Sequence, residues 1–330
     1  MGKKYFPGAN SGEGFFSRFD GIVPHGALHY TYVLKGGPGV GKNTLMKKVA
    51  KTAVENGYTV EEFRCASDPK SLDAVRIVES GIVLLDGTSP HSIDPVQPGL
   101  CDEIIDLGRF KNQGEFAKHR EELEALTAEN KRHYRAAYAM LRAACSLKRE
   151  AVCAAREVIN HDKLKTFVSR IVSGKHGGER RELFARSATP DGVIDFSQSF
   201  LPSDTVCFCG VVGELALAEA EKTLASKACE VFYDFVDPHL PRCIVTSESA
   251  VAVAEEGDTL SCMLSGELPP HVNFCMDKSE LLVKRATAEL SKALATHDKI
   301  ERIYREFVDY TAVTAIGNGL VEKICGNMKA

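Results

Sequence analysis

The sequence predicts an α/β protein with mainly parallel sheets, in which one architecture occurs twice and each copy is followed by a long helical hairpin. Three observations predict it. A short strand-like segment at 29–35 runs into a glycine-rich loop and then a helix. A second apolar segment ends in a carboxylate at Asp86. Segments of the second half echo segments of the first in the same order.

The chain has 330 residues and a formal net charge of −4, a length that suits about two domains. Hydrophobic residues make up 44% and charged residues 26%, which is ordinary for a soluble globular chain. A slightly acidic balance argues against nucleic acid as a partner, because such binders carry a basic excess. No apolar run reaches the ~18 residues a membrane span needs. Lys3 and Lys4 are followed by no apolar core, so no secretory signal is expected. Gly2 lacks the Ser or Thr that N-myristoylation wants at position 6, which is Phe6. The eleven cysteines form no C-x-x-C pair; Cys207-x-Cys209 is the closest spacing. Reduced, mostly buried thiols and a cytoplasmic location are the expectation.

Residues His29-Tyr30-Thr31-Tyr32-Val33-Leu34-Lys35 are rich in strand formers. Gly36-Gly37-Pro38-Gly39-Val40-Gly41-Lys42-Asn43-Thr44 follows, then a helix with Leu45, Met46, Val49, Ala50, Ala53 and Val54 on one face, ending at Gly57. Strand, glycine loop, Lys and helix form the context of a phosphate-binding loop, the Walker A element of a P-loop NTPase fold. Glycines let successive backbone N–H groups converge on phosphate oxygens, and the helix start adds its positive end. The expected nucleotide contacts are Gly37, Pro38, Gly39, Val40, Gly41, Lys42, Asn43 and Thr44, with Lys42 reaching the terminal phosphates. The pattern wants Ser or Thr after Lys42 to bind Mg²⁺, and Asn43 stands there. Its amide oxygen is a bulkier, differently placed ligand. Thr44 lies about 100° further round the helix and does not substitute. Nucleotide binding is therefore the firmer expectation and hydrolysis the weaker one.

Gly81-Ile82-Val83-Leu84-Leu85-Asp86 reads as a strand buried on both faces, with Asp86 at its carboxyl end, where ligands bind in open α/β sheets. Asp86 and Asn43 are the expected metal ligands. The proline-rich stretch 89–99 leaves that strand, which makes His91 a candidate to position water or sense a phosphate, beside a structural role; Asp94, before Pro95, reads as a turn residue. Val60–Cys65 is a further strand. Asp68 after it reads as a cap or turn residue, or as a contact to a phosphoryl acceptor.

Phe6 aligns with Phe184 and Gly14 with Gly192 at one offset; Asp68-Pro69 aligns with Asp237-Pro238 at another, which also pairs Glu79 with Glu248, Ile82 with Val251 and Asp86 with Glu255. This order of anchors suggests a duplication. Where a second phosphate loop should fall, 210–216 keeps two glycines, lacks the Lys and carries Glu214, which repels phosphate. Residues 115–173 and 271–316 contain no Gly or Pro. Each is expected to fold back as a hairpin, the first breaking near Asn160-His161-Asp162. Such hairpins are candidate surfaces for a protein partner or self-association. Ser173-Gly174-Lys175-His176-Gly177-Gly178 is the linker, which sets domains at 1–173, the nucleotide-binding one, and 174–330, the degenerate repeat.

With these motifs the sequence resembles the tandem P-loop ATPase-like, or nucleotide-kinase-like, proteins of anaerobic Gram-positive bacteria. The resemblance covers almost the whole chain. It rests on Lys35–Lys42 with Leu45–Lys48, on Ser67–Asp73, and most specifically on Leu85–His91 continuing through Asp94-Pro95 and Pro98-Gly99 to Asp102–Gly108. Leu183-Phe184 and Thr189–Gly192 mark the second copy. It implies a P-loop fold in each half and cytoplasmic nucleotide binding. The departures are Asn43, where the family has Ser, and 210–216, where a second loop is expected.

The expected function is ATP or GTP binding at one loop, with weak or regulated Mg²⁺-dependent ATPase activity in which Lys42, Asp86 and His91 act. The alternatives are a small-molecule phosphotransferase, for which Arg64 and Arg76 are available clamps, and a non-hydrolysing nucleotide-gated module.

Overall fold

The computed structural model describes residues 2–24, 27, 29–88, 93–110, 116–172, 180–225 and 227–329. In the first half, β1 (Lys3–Tyr5) precedes a hairpin of β2 (Gly8–Ser11) and β3 (Gly14–Ser17). Then come β4 (Tyr30–Lys35), α1 (Lys42–Glu55), β5 (Val60–Arg64), β6 (Leu72–Ile77), β7 (Ile82–Asp86) and β8 (Asp102–Asp106). Two helices follow, α2 (Arg120–Glu157) and α3 (His161–Ile171).

The second half repeats this order. β9 (Arg181–Phe184) precedes the hairpin β10 (Arg186–Thr189) and β11 (Gly192–Asp195). Next are β12 (Val206–Phe208), α4 (Gly210–Thr223), β13 (Glu230–Tyr233), β14 (Pro241–Val245) and β15 (Ala250–Val253). Helices α5 (His271–Arg305) and α6 (Tyr310–Lys329) follow. The sheets run β1-β5-β6-β7-β4-β8 and β9-β13-β14-β15-β12. Element for element they correspond, except that no described strand stands beside β12 as β8 stands beside β4. Both sheets are mixed: β6 and β14 run antiparallel to their neighbours, while the other pairings are parallel.

Period-two alternation divides the first sheet between two layers. Tyr32, Leu34, Val75, Ile77, Ile82 and Leu84 face α1 and α6, packing with Met46, Val49, Leu320 and Ile324. Val33, Phe63, Ala74, Val83 and Leu85 face the other sheet and meet Leu183, Phe232, Cys243 and Ala252. The expected burial of β7 on both faces holds, but one cover is the second sheet rather than a helix. A fully buried side chain such as Leu84 contributes about 1.5–3 kcal/mol.

The helices depart from the expected hairpins. The chain does break near Asn160. There the Asn160 side chain caps α3 by accepting from the Lys163 amide at 3.0 Å, and Val158 and Asn160 pair with Ser265 and Met263. Yet α2 does not fold back on α3. It packs antiparallel along α5 from the other half: Asn130 Nδ2 donates to Ala293 O at 3.0 Å, His133 meets Glu289 at 2.8 Å, and Ser279 Oγ donates to Ala144 O at 2.9 Å. The short helices are exchanged, with α3 packing on α4 and α6 on α1. An apolar stripe such as Leu123, Ala137, Leu141, Ala144 and Cys145 needs a partner, and the longer antiparallel partner buries more of it. The 173/174 boundary lies outside the described residues, and packing crosses it in both directions.

Candidate functional site

The Gly36–Gly41 loop joins the carboxyl end of β4 to the start of α1, at the sheet end where β7 finishes in Asp86. Gly41 holds φ 95°, the left-handed conformation that starts α1, and Gly39 holds φ 71°, both costly for residues with a Cβ. Lys42 turns its ammonium back over the loop and donates to the carbonyls of Gly36 at 2.5 Å and Gly37 at 3.1 Å. Its Nζ stands 3.5 Å from Asp86 Oδ2. Burial pulls the Lys42 ammonium below the ordinary lysine value, and Asp86, Glu301 and Asp73 offset part of that pull. Asp86 Oδ1 accepts from the Thr88 amide at 2.9 Å and the Thr88 hydroxyl at 2.5 Å. The loop, Lys42 and Asp86 thus form one constellation.

Asn43, the other expected metal ligand, turns its side chain to different partners. Its Oδ1 accepts from the Leu72 amide at 3.2 Å and its Nδ2 donates to Ser71 Oγ at 3.1 Å. The residue ties α1 to the start of β6, and the expected Asn43–Asp86 metal pair is not assembled. Thr44 is exposed at the helix start. His91 lies outside the described residues. Asp94 pairs with Lys35 Nζ at 2.9 Å, and the same ammonium donates to the carbonyls of Gly87 at 2.9 Å and Ile93 at 2.7 Å. Asp68 is a turn residue: it accepts from the Lys70 amide at 3.1 Å and from Ser71 Oγ. Arg64 pairs with Glu62, and Arg76 with Glu61, so neither arginine faces the loop as a free clamp.

Sequence reasoning passed over Asp73. It is buried on β6, one step beyond the Ala74↔Leu85 pair, so it neighbours Asp86 on the helix-facing side. The β5–β6 register shifts there, between Phe63 and Arg64. Two charged residues, Asp73 and Arg76, inside an otherwise apolar strand were the available signal.

A second missed feature is the cover over the loop. Tyr310 Oη donates to Gly39 O at 2.7 Å. A Cβ on Gly39 would stand 2.7 Å from Arg305 Cγ and 3.2 Å from Glu301 Cγ. Arg305 itself holds Glu301 Oε1 at 2.8 Å. The end of α5 and the start of α6, both from the second half, lie against the Gly36–Gly41 loop.

The matching place in the second half has no loop. β12 ends at Phe208 and α4 begins at Gly210. Glu214, expected to repel phosphate, is buried and bound to Lys148 of α2 at 2.7 Å; Lys148 also meets Asp234 at 3.1 Å. Burial alone would lower the Lys148 ammonium, but Asp234 and Glu214 overcome it and raise it. All eleven cysteines are free thiols. Among the described residues no helix is long and apolar enough to cross a membrane.

Comparison with protein-family models, with curated proteins and with solved structures returns no match to this chain. The α/β class with two mixed sheets is what the structure defines.

Proposed function

We propose that this chain binds a nucleoside triphosphate, ATP or GTP, at Gly37–Thr44 and hydrolyses it slowly with Mg²⁺ in the cytoplasm. The observation that carries this reading is the convergence of left-handed Gly39 and Gly41, Lys42 and Asp86 at one sheet end. Backbone amides of the loop and of the first turn of α1 bind phosphate oxygens. On binding, Lys42 exchanges the Gly36 and Gly37 carbonyls for the β- and γ-phosphates. A magnesium ion arriving with the nucleotide would be held by Asp86 and Asp73 and would neutralise phosphate charge. Asn43 reaches it only by giving up Leu72 and Ser71, which favours slow turnover. The parallel element order of the two halves supports a duplicated P-loop architecture and the family resemblance; in the second copy the Lys148–Glu214–Asp234 cluster takes the place of a ligand.

Nucleotide binding and turnover with and without Mg²⁺, for wild type, Lys42→Ala and Asn43→Ser, test the reading. Lys42→Ala should weaken affinity at least ~10-fold, since charged contacts in a buried site contribute about 1.5–3 kcal/mol. Unchanged affinity sinks it. The ties of Asn43 favour one second reading, a nucleotide-gated module without hydrolysis. Binding with turnover no greater than that of Lys42→Ala selects it. ATP consumption that rises with one small metabolite would instead select a phosphotransferase.

A further inference from the structure

At the opposite end of β4 from the phosphate loop, one ligand atom each from His29, Cys101 and Asp102 lie within 4.8 Å of one another. We propose that these three side chains form a mononuclear zinc site, completed by a water. The inference does not depend on the nucleotide reading.

The donor set is the first argument. Imidazole, thiolate and carboxylate together suit zinc and not the hard cations Mg²⁺ or Ca²⁺, which take oxygen. Three protein ligands leave the fourth tetrahedral position to solvent.

The supporting contacts are the second. His29 Nδ1 lies 3.0 Å from Ala27 O. A carbonyl only accepts, so Nδ1 carries the proton and a neutral ring keeps its lone pair on Nε2. That is the backing a metal-bound histidine uses. Asp102 Oδ2 accepts from the Val96 amide at 2.9 Å and the Gln97 amide at 2.8 Å, which fixes the carboxylate plane. Cys101 is tied to β4 through its carbonyl, which accepts from the Thr31 amide at 2.7 Å. Its thiol makes one long contact, 3.4 Å to Gln97 Oε1.

The third is fit. With bonds of about 2.0–2.3 Å, ligand atoms around a tetrahedral zinc stand roughly 3.3–3.8 Å apart. The three ligand atoms, within 4.8 Å of one another, would draw in to that spacing on metal binding, chiefly through the half-buried Cys101 side chain, while His29 keeps its Ala27 contact. Asp102 is already set by its two amide donors. Zinc would clip the 96–101 turn to the amino end of β4, about 20 Å along the strand from the phosphate loop.

The test uses the full chain, stripped with chelator at neutral pH, dialysed against zinc and assayed by elemental analysis. Wild type should take up one zinc per chain. His29→Gln and Cys101→Ser should each weaken binding at least ~10-fold, while Cys153→Ser and His161→Ala, altered at exposed positions elsewhere, should leave it unchanged. Circular dichroism checks that the variants fold. With cobalt in place of zinc, a thiolate-to-metal charge-transfer band should appear in wild type and vanish in Cys101→Ser. Zinc should also protect Cys101 from alkylation, read by peptide mass. No zinc uptake by wild type, or uptake that both ligand variants retain, overturns the proposal.

Discussion

Phe6 and Phe184 exchange both of their main-chain hydrogen bonds, Phe6 N to Phe184 O at 2.9 Å and Phe184 N to Phe6 O at 3.0 Å. They are also positions that the internal echo of the sequence equates. Reciprocal contact between equivalent residues is what a two-fold relation produces, here inside one chain. Both side chains are fully buried.

This contact, the shared sheet interface and the exchanged helices should make the halves unfold together. Phe184→Ala should cost about 3–5 kcal/mol and lower the urea midpoint of both halves equally. The chain has no Trp, so Val54→Trp and Val206→Trp, at exposed sites in the two halves, give clean fluorescence probes. Two separate midpoints would contradict the prediction.

Glu61 and Arg181 form a buried pair across the halves, with contacts of 2.8 and 2.9 Å. Burial pushes the Glu61 carboxyl up, but hydrogen bonds and charge from Arg181, with Arg76, outweigh it and hold the carboxyl below its ordinary 4.5. A depressed carboxylate stabilises the fold above its unfolded value and loses that contribution as pH falls through its folded one. Stability should therefore fall as pH drops below about 4.5, and Glu61→Gln should flatten that slope. Arg181→Met, which leaves Glu61 with Arg76 as its one remaining cationic partner among the described residues, should cost up to about 3–5 kcal/mol at neutral pH. Urea titrations across that range read both.

Lys42 predicts the opposite pH sense for the ligand. Its ammonium sits below the ordinary 10.5 in the free protein, and a triphosphate would draw it back up. Nucleotide affinity should weaken as pH rises through that lowered value, with proton uptake on binding there. Calorimetry in buffers of different ionisation enthalpy measures the uptake, and Lys42→Arg should abolish it.

Tyr310→Phe removes one hydrogen bond to Gly39, an expected stability loss of about 0.5–1.5 kcal/mol. If the end of α5 and the start of α6 cover the loop as a barrier, nucleotide release should speed up in Tyr310→Phe and more in a variant that also carries Arg305→Ala. Stopped-flow displacement of a fluorescent nucleotide decides it; identical release rates would show that the cover does not limit exchange.

The local elements near the site are legible in the sequence. The β4–loop–α1 unit, β7 ending at Asp86, the break before His161 and the direct passage from β12 into α4 without a glycine loop each follow from residue types and spacing. What escapes local reading is what tertiary partners decide. β6 carries Asp73 and Arg76 among apolar residues, a pattern that fits no buried strand until Glu61 is placed opposite Arg76. Asn43 occupies a metal-ligand position in the motif, yet an amide both donates and accepts, and it satisfies Ser71 and Leu72 instead. The apolar stripe of α2 announces a partner without naming one, so its pairing with α5 rather than α3 has no local signature. The cover at Gly39 comes from residues far along the chain.

Gly39 and Tyr310 are 271 positions apart. At ~5–20 residues per second of synthesis, the Gly36–Gly41 loop leaves the ribosome roughly 15–50 s before the helix that covers it exists. For that interval a nascent chain presents the loop bare, and any ligand that prefers it bare has its easiest access before translation reaches α6.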